Sequence, residues 1–348
     1  MKKRIAVALS AIMAAGMIMA GCGSTSSAPA AGAADTAADS TAAATSDTVG
    51  GMEGGTSLQF TTGGDQGTYY GFGGVLASKI SETTSTTVTA ITSGGSQANI
   101  DALELGDAQL GFVQSDVMAY AYDGTRLFEE LGKVDSFSTV AALYMEQVQI
   151  VSVDPSITSV ADLKGKNVSI GAAGSGTYFN ALDVLEAYGL TEDDINPTYQ
   201  SFGDSAEALQ DGKIDAAFIV AGAPTTAVTS LATAKTVNVL NIDEEHIKAL
   251  IEKSPFYSEA TIPADAYGTE SDIKTVAVGA VVIANDDVSE ADVYNFMYGV
   301  FENIDSITAA HAKGAELDLD FAASVTSVPY HPGAAKYFSE KGIEVPTK

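Results

Sequence analysis

One four-residue motif occurs twice in the chain, and this repeat constrains the fold more than any other feature of the sequence. Gly-Thr-Tyr-Tyr at residues 67–70 follows a predicted strand and opens a predicted helix, and Gly-Thr-Tyr-Phe at 176–179 does the same 109 residues later. Leu-x-x-Gly at 103–106 recurs at 209–212, and each copy is followed six residues later by Phe and a branched aliphatic residue. Because two unrelated motifs recur at nearly the same distance along the chain, we predict two similarly built lobes. The alternative is a chance similarity of glycine-rich loops.

Predicted strands and helices alternate along the chain from about residue 57 onward. Such alternation is typical of the α/β class with a largely parallel sheet. The predicted strands cover residues 58–61, 88–91, 110–113, 168–171 and 216–220, and the predicted helices cover 68–80, 97–105 and 178–188.

Length and charge exclude several classes of function. The 348 residues suffice for about two domains. With 17 Lys and Arg against 45 Asp and Glu, the net charge of −28 disfavours nucleic acid and anionic membrane surfaces as partners, because both are recognised through cationic side chains. The single cysteine, Cys22, excludes an intramolecular disulfide and a cysteine-cluster zinc site.

The N-terminus has the layout of a bacterial lipoprotein signal. A basic start at residues 2–4 precedes about fifteen mostly apolar residues, and small residues then lead directly to Cys22, which is the predicted lipid attachment point. The alternatives are an ordinary signal peptide with an incidental cysteine, or a short anchor. We therefore predict a signal peptide over 1–21 and, because residues 22–56 are mostly Ala, Ser, Thr and Gly, a disordered tether that ends where the folded part begins near Ser57.

Glycine-rich loops at the ends of the predicted strands are the best candidates for a binding site. In an open α/β sheet, ligands bind beyond the carboxyl ends of the strands, where free backbone N–H groups open each helix. Loops 63–68 and 93–96 supply one such place and loop 171–177 supplies a second. If the lobes face each other, these loops form the walls of one cleft. The alternative is tight turns with helix N-caps, which favour the same residue types.

Enzymatic motifs are approached but not completed. Loop 171–177 has the spacing of a phosphate-binding P-loop but lacks its lysine, and no G-x-S-x-G nucleophile motif occurs. His246 lies on a predicted exposed helix, His331 lies in a predicted turn, and neither belongs to a recognisable cluster. We therefore predict no enzymatic activity, no metal and no cofactor. A secreted hydrolase with Ser175 or Ser96 as nucleophile is a remote alternative, since no base stands at a recognisable spacing.

Taken together, these motifs resemble the TAXI family of extracytoplasmic solute receptors, which deliver ligands to TRAP-type transporters. The resemblance spans about residues 57–345 and is carried by segments 63–70, 94–96, 111–116, 170–177, 218–225 and 331–334. It implies an α/β, two-lobed periplasmic-binding-protein (type II-like) fold with hinge strands and an interlobe ligand cleft. The implied lobes are 57–148 with 281–348, and 149–280, and the chain would cross between them near 146–153 and 276–284.

The same resemblance implies a monomeric receptor, anchored outside the cytoplasmic membrane, that passes a small polar ligand to a TRAP-type integral membrane permease. A receptor of the same fold that serves an ABC importer or a sensor kinase is the alternative. The candidate ligand-binding residues are Gly64, Asp65, Gly67, Thr68, Tyr69, Tyr70, Ser93, Gly95, Ser96, Gln114, Ser115, Asp116, Tyr144, Ser175, Gly176, Thr177, Ala221 and Pro224.

The charge of the ligand is left open by these residues. No Arg or Lys lies in the candidate loops, so an anionic group would rest on backbone N–H groups, hydroxyls and Gln114 rather than on a bidentate arginine. Asp65 in the first wall would repel a carboxylate unless it is turned away or pairs with a ligand ammonium. Asp116 is expected either to orient a ligand ammonium or to cap the helix that follows it.

Overall fold

A computed structural model describes residues 50–126 and 128–348. The predicted signal peptide, Cys22 and most of the predicted tether lie outside the described residues. Within the described ranges, no helix has the length and apolar character that crossing a membrane requires.

Ten strands in the described part of the chain form one mixed sheet. They are β1 (Ser57–Thr61), β2 (Thr87–Ile91), β3 (Leu110–Gln114), β4 (Phe137–Ser152), β5 (Asn167–Ser169), β6 (Asn196–Thr198), β7 (Ala216–Ala221), β8 (Asn238–Val239), β9 (Ser258–Ile262) and β10 (Ile273–Asn285).

Helices follow most of the strands, as the alternating pattern predicts. They are α1 (Thr68–Thr83), α2 (Ser96–Glu104), α3 (Ser115–Asp123), α4 (Phe128–Leu131), α5 (Gly176–Ala187), α6 (Phe202–Gln210), α7 (Thr226–Ala234), α8 (Glu244–Lys253), α9 (Glu290–Phe301), α10 (Ile304–Ala310), α11 (Leu319–Ala322) and α12 (Pro332–Glu340). Short 3₁₀ helices cover Val160–Leu163, Glu192–Asp194, Ala264–Ala266 and Ala312–Glu316.

The sheet consists of two parallel groups joined by two long antiparallel strands. Its order is β2-β1-β3-β10-β4-β7-β5-β6, with β8 paired to β4 and β9 paired to β10. Strands β1, β2 and β3 run parallel at one end, and β5, β6 and β7 run parallel at the other. β4 pairs with β10 along residues 137–147 and with β7 along 147–152, so it belongs to both groups. This mixed α/β architecture confirms the predicted fold class.

Buried apolar side chains gather in separate clusters on either side of this junction. One cluster draws on residues 58–144 and 280–338, with Phe179 as its contribution from elsewhere in the chain. Two others draw on residues 148–278. We refer to residues 57–148 and 281–348 as the first half and to 149–280 as the second half; these lobe boundaries stay a prediction.

Residues 50–56, which precede β1, are hydrogen-bonded to the first half. Gly50 donates a backbone hydrogen bond to the carbonyl of Thr83 at 2.8 Å. Met52 donates to Asn295 Oδ1 at 2.6 Å, and Thr56 donates to Asp292 Oδ1 at 2.7 Å. Side chains of α9, about 240 residues away, thus satisfy the backbone groups of Met52 and Thr56, and the tether over 22–56 stays a prediction.

Candidate functional site

The predicted loops converge on one cleft between the two halves. Its empty volume is about 550 Å³, a figure that includes open solvent at the mouth. It is lined by Gly63, Gly64, Gly67, Thr68, Tyr69, Ser93, Gly94, Gly95, Ser96, Gln114, Glu146, Ala172, Ser175, Gly176, Thr177, Ser201, Phe202, Val220 and Ala221.

Most of the candidate ligand-binding residues therefore lie together. Those that line the cleft are Gly64, Gly67, Thr68, Tyr69, Ser93, Gly95, Ser96, Gln114, Ser175, Gly176, Thr177 and Ala221.

Three candidates lie on the surface beside the cleft. Asp65 is exposed and lines a separate depression next to α6 and α7, so the expected repulsion of a ligand carboxylate by its side chain does not arise in the cleft wall. Tyr70 is 37% exposed, because it faces outward on the first turn of α1. Pro224 follows a cis peptide bond in the loop after β7 and is exposed there.

Three other candidates, of which Tyr144 and Asp116 are buried and Ser115 is half-buried, lie outside the cleft lining. Ser115 Oγ accepts a hydrogen bond from the backbone of Gly279 at 3.1 Å. Tyr144 is 1% exposed and packs edge-on against Phe72 in the core. Asp116 is fully buried within the first turn of α3, where Gln114 is the N-cap. Asp116 is thus not part of the described lining and is not the N-cap residue, but its Oδ1 accepts from the backbone of Val117 in the first turn at 2.9 Å.

Three helices begin at the cleft with no side-chain cap. The N-cap residues of α1, α2 and α5 are Gly67, Gly95 and Ser175. The two glycines have no side chain to bond the first turn, and the side chain of Ser175 does not bond it either. The first N–H groups of a helix lack intrahelical partners and carry the positive end of the helix dipole. Gly95 has a φ of 109°, a conformation that favours glycine. Helix starts aimed at one space form a favourable environment for an anion.

Among the residues that the structure describes, no Lys or Arg lines the cleft. This agrees with the prediction from the loops. An anionic group in the cleft would meet backbone N–H groups and hydroxyls instead.

Two buried polar atoms in the lining have no hydrogen-bond partner among the described residues. They are Gln114 Oε1 and Ser175 Oγ, on residues that are 2% and 7% exposed. Gln114 is held by its own backbone, whose N–H donates to Ser96 Oγ at 3.1 Å. Because an unpaired buried polar group costs free energy, these atoms are suited to bonds with a bound molecule.

Glu146 is the cleft residue whose chemistry the sequence analysis missed. It lies on β4, it is 2% exposed, and its Oε2 accepts a hydrogen bond from Tyr69 Oη at 2.7 Å. Burial raises the pKa of the Glu146 carboxyl to about 8, although the bond from Tyr69 acts in the opposite direction. In the sequence, the one feature that indicates this role is the position of an acid within the apolar run 140–151. That run was interpreted only as part of a hinge strand.

Ser201 and Phe202, at the start of α6, were also missed. Ser201 Oγ accepts from the backbone of Asp204 at 3.1 Å, so this helix start has a side-chain cap. Ser-x-x-Asp at 201–204 is a recognisable capping pattern and would have revealed this wall. Of the other lining residues, Gly63, Gly94 and Ala172 belong to the predicted loops, and Val220 lies on β7.

Hydrogen bonds cross directly between the two halves around the cleft. Thr68 Oγ1 donates to the carbonyl of Gly222 at 2.8 Å. The backbone of Ala98 donates to Gly174 at 3.2 Å, and that of Ala227 donates to Gln66 at 3.2 Å. The two halves are therefore in direct contact around the cleft.

A second polar contact between the halves, the Asp183 cluster (Asp116, Arg126, Asn180, Asp183 and Tyr257), lies beside the cleft. Asp183 accepts from Arg126 at 2.8 Å and from the Tyr257 hydroxyl at 3.0 Å. Asn180 donates to Asp116 at 2.8 Å and to Tyr257 at 2.8 Å. This cluster ties α3 and the loop after it to α5.

The histidines lie elsewhere. His331 is buried as the N-cap of α12, where Nδ1 accepts from Gly333 at 3.2 Å and Nε2 lies 3.0 Å from the carbonyl of Val288. His246 lies on α8 and stacks on Tyr188 at 3.6 Å. No histidine belongs to the described cleft lining, and the described residues hold no His, Cys, Asp and Glu group suited to a metal ion.

Comparisons with known proteins agree with this geometry. The model of the NMT1-like family matches residues 60–342. MatC from Rhodopseudomonas palustris, solved with bound malate, is 15% identical with a TM-score of 0.53, and the match covers 82% of this chain and 97% of MatC. A protein from Bordetella bronchiseptica RB50 is also 15% identical with a TM-score of 0.53, over 82% of this chain and 98% of its own.

The periplasmic aliphatic sulphonate binding protein SsuA from Escherichia coli is 19% identical over 83% of this chain and 94% of its own, with a TM-score of 0.44. The fold is therefore shared with the proteins from Rhodopseudomonas palustris and Bordetella bronchiseptica.

Proposed function

The chain belongs to the NMT1-like family of periplasmic solute-binding proteins, and on that premise we propose that it captures a small polar ligand between its halves and delivers it to a TRAP-type permease. The ligand is of the amino-acid or organic-acid kind. The receptor is held outside the cytoplasmic membrane by a lipid on Cys22, as the sequence around that residue suggests.

The observation that carries the proposal is the composition of the cleft wall. The uncapped starts of α1, α2 and α5 surround a space whose lining includes Gln114 and Ser175, each with a buried polar atom that is unpaired among the described residues. A folded protein leaves such groups unpaired mainly where a ligand completes them. An anionic group at the helix starts and a hydrogen-bond donor at Gln114 Oε1 would do so.

Capture and release follow from the way the halves are joined. The main connections run through β4 and β10, while the contacts around the cleft are a few hydrogen bonds such as that between Thr68 and Gly222. Opening breaks these bonds without unfolding either core. A ligand that bridges both walls stabilises the closed form by its differential affinity for it.

Titration calorimetry of the full-length protein with amino acids, hydroxy acids and dicarboxylates tests the proposal, together with Gly176→Ala. A Cβ at Gly176 would lie 1.9 Å from Gln114 Oε1, so the substitution forces the Gln114 side chain out of its position in the lining. We expect binding to weaken by about tenfold or more, equivalent to about 1.4 kcal/mol. Gly74→Ala is the matched control, because it adds the same methyl group to open space on α1 and should leave affinity unchanged.

Absence of binding across the whole panel would contradict the proposal. The permease class is tested separately in cells, where uptake through a TRAP system depends on an ion gradient. Uptake that survives loss of the gradient and stops on depletion of ATP would instead assign the receptor to an ABC importer.

A further inference from the structure

We infer that Glu146 selects ligands that carry an ammonium group and releases a proton to the solvent when such a ligand binds. The inference rests on the proposed function, because it requires a ligand in the cleft. One end of that ligand is then an ammonium group, and Glu146 is the residue that distinguishes amino acids from their hydroxy-acid analogues.

The Glu146 carboxyl has no cation paired with it among the described residues. It is buried in the cleft wall and bonded to the Tyr69 hydroxyl, and it forms no ion pair within 4.0 Å in the described ranges. An ionised carboxylate without a cation is costly in a buried site. The empty protein avoids this cost by keeping the carboxyl protonated.

The charged and titratable groups around Glu146 do not supply the missing cation. Tyr69, Tyr144 and Asp116 face it from α1, from β4 and from α3, and none of them is cationic. Lys313 acts on it from the 3₁₀ helix Ala312–Glu316. However, the Lys313 ammonium is paired with Glu316 and lies 5.5 Å from the centre of the Tyr144 ring. Its attraction is the weakest of the influences on the Glu146 pKa, which stays near 8.

The cleft lining holds hydrogen-bond acceptors as well as hydrogen-bond donors. Among the described residues Gln114 Oε1 is an acceptor without a donor, and Glu146 becomes a second acceptor once it is ionised. The uncapped helix starts provide donors for an anion in the same lining. A zwitterion satisfies both sets, since its ammonium pairs with Glu146 and Gln114 while its carboxylate occupies the helix starts.

A ligand hydroxyl in place of the ammonium gives a different result. A neutral hydroxyl leaves no reason for Glu146 to ionise, so no proton is released. With the Glu146 pKa at about 8 in the empty protein, an ammonium ligand must displace the proton below that pH. The affinity for an amino acid should therefore rise about tenfold per pH unit from pH 6 to nearly 8 and then level off. The affinity for the matching hydroxy acid should show no such rise.

Calorimetry of the full-length protein with matched pairs tests this inference. The pairs are L-alanine with L-lactate, L-leucine with L-2-hydroxyisocaproate, and L-glutamate with L-2-hydroxyglutarate. For the pair that binds, titrations at pH 7 in phosphate and in Tris, which differ in ionisation enthalpy, should reveal release of nearly one proton per amino acid bound. The hydroxy acid should bind at least tenfold more weakly at pH 8.

Glu146→Gln removes the titration while keeping the shape of the side chain. We expect this variant to lose at least tenfold in amino-acid affinity at pH 8 and to lose the pH dependence. Glu130→Gln, an exposed glutamate on α4, is the control and should keep both. If Glu146→Gln does not fold, proton release by the wild-type protein still decides the question.

The outcomes separate the two proposals. Binding of hydroxy acids or dicarboxylates without binding of amino acids would overturn the role of Glu146 and leave the proposed function standing. Amino-acid binding without proton release or pH dependence would do the same. Absence of binding by any compound would overturn both.

Discussion

Asp183 and Glu146 are both 2% exposed and both lie where the two halves meet, but the protein supplies cations to only one of them. Asp183 lies 2.8 Å from Arg126 and 3.4 Å from Lys253, and it also accepts from Tyr257. Glu146 accepts from Tyr69 alone among the described residues. The charge of Asp183 is therefore balanced in the folded protein, whereas that of Glu146 is balanced only by a proton or by a ligand.

The difference separates two tasks at one interface. In this arrangement Asp183 links the halves through cations that the protein itself supplies, Arg126 and Lys253. The Glu146 site is incomplete, and incomplete buried sites are where binding free energy is available. Arg126, which is the only arginine beyond the predicted signal peptide, thus serves the contact between the halves and not the cleft.

The largest expected effect comes from breaking the complete site. Asp183→Ala leaves Arg126, Lys253 and Tyr257 without their shared acceptor, and loss of one partner of a buried ion pair is strongly destabilising. Because both cations are partly exposed, at 33% and 39%, we expect a loss of about 3 kcal/mol, at the lower end of that range. Urea unfolding of the full-length protein measures it.

Asp193→Ala is the matched control for this variant. Asp193 is exposed in the 3₁₀ helix Glu192–Asp194, and its replacement should change the free energy of unfolding by less than about 0.5 kcal/mol. An equal effect of the two substitutions would mean that the Asp183 cluster does not stabilise the closed form.

The next effect is the contribution of the Glu146 carboxyl to the pH dependence of stability. Its carboxyl has a pKa of about 8 in the folded protein against 4.5 ordinarily, so between these values the folded state holds a proton that the unfolded state has released. Raising the pH in this window therefore destabilises the folded state by about 1.4 kcal/mol per unit. From pH 6 to 7.5, wild type should lose about 2 kcal/mol relative to Glu146→Gln.

Unfolding in urea at both pH values measures this loss, and the comparison with the variant cancels other titrating groups. Asp116 is the main one, since burial raises the pKa of its carboxyl to about 6. Parallel pH profiles for wild type and Glu146→Gln would show that Glu146 does not hold a proton in the folded state, and the contrast with Asp183 would then fail.

The sequence predicted the cleft walls because their pattern is local. Glycine, serine and threonine just before a helix mark a turn whose N–H groups are free, and loops 63–68, 93–96 and 171–177 all reach the cleft as predicted. The absence of cations from these loops was equally visible, since it needs only residue types.

The residues that were missed or misplaced depend on packing between distant elements. Glu146 faces the cleft because of the position of β4 between β10 and β7, and alternation along an apolar strand does not reveal which face lies beside a cavity. Asp116 was expected near a ligand, but its burial against Asn180 depends on how α5 packs on α3. The hydrogen bonds that Met52 and Thr56 donate likewise depend on acceptors on α9.

The smallest expected effect concerns the single bond that Glu146 receives. Tyr69→Phe removes the hydroxyl that donates to Oε2 at 2.7 Å and keeps the ring, which stacks on Phe112 at 4.6 Å. We expect a loss of about 1 kcal/mol in the free energy of unfolding. Tyr70→Phe removes an exposed hydroxyl one residue along α1 and should change that free energy by less than about 0.5 kcal/mol.

The pH dependence of the Tyr69→Phe loss is the informative part. Burial raises the pKa of Tyr69 well above its ordinary 10.0, so the hydroxyl remains a donor throughout the accessible range. A donor stabilises an ionised carboxylate more than a protonated one, and its removal should therefore raise the Glu146 pKa further. The loss should then be larger at pH 8.5 than at pH 6. A loss of equal size at both pH values would mean that Glu146 has the same protonation state at both, and that its charge, like that of Asp183, is already settled within the protein.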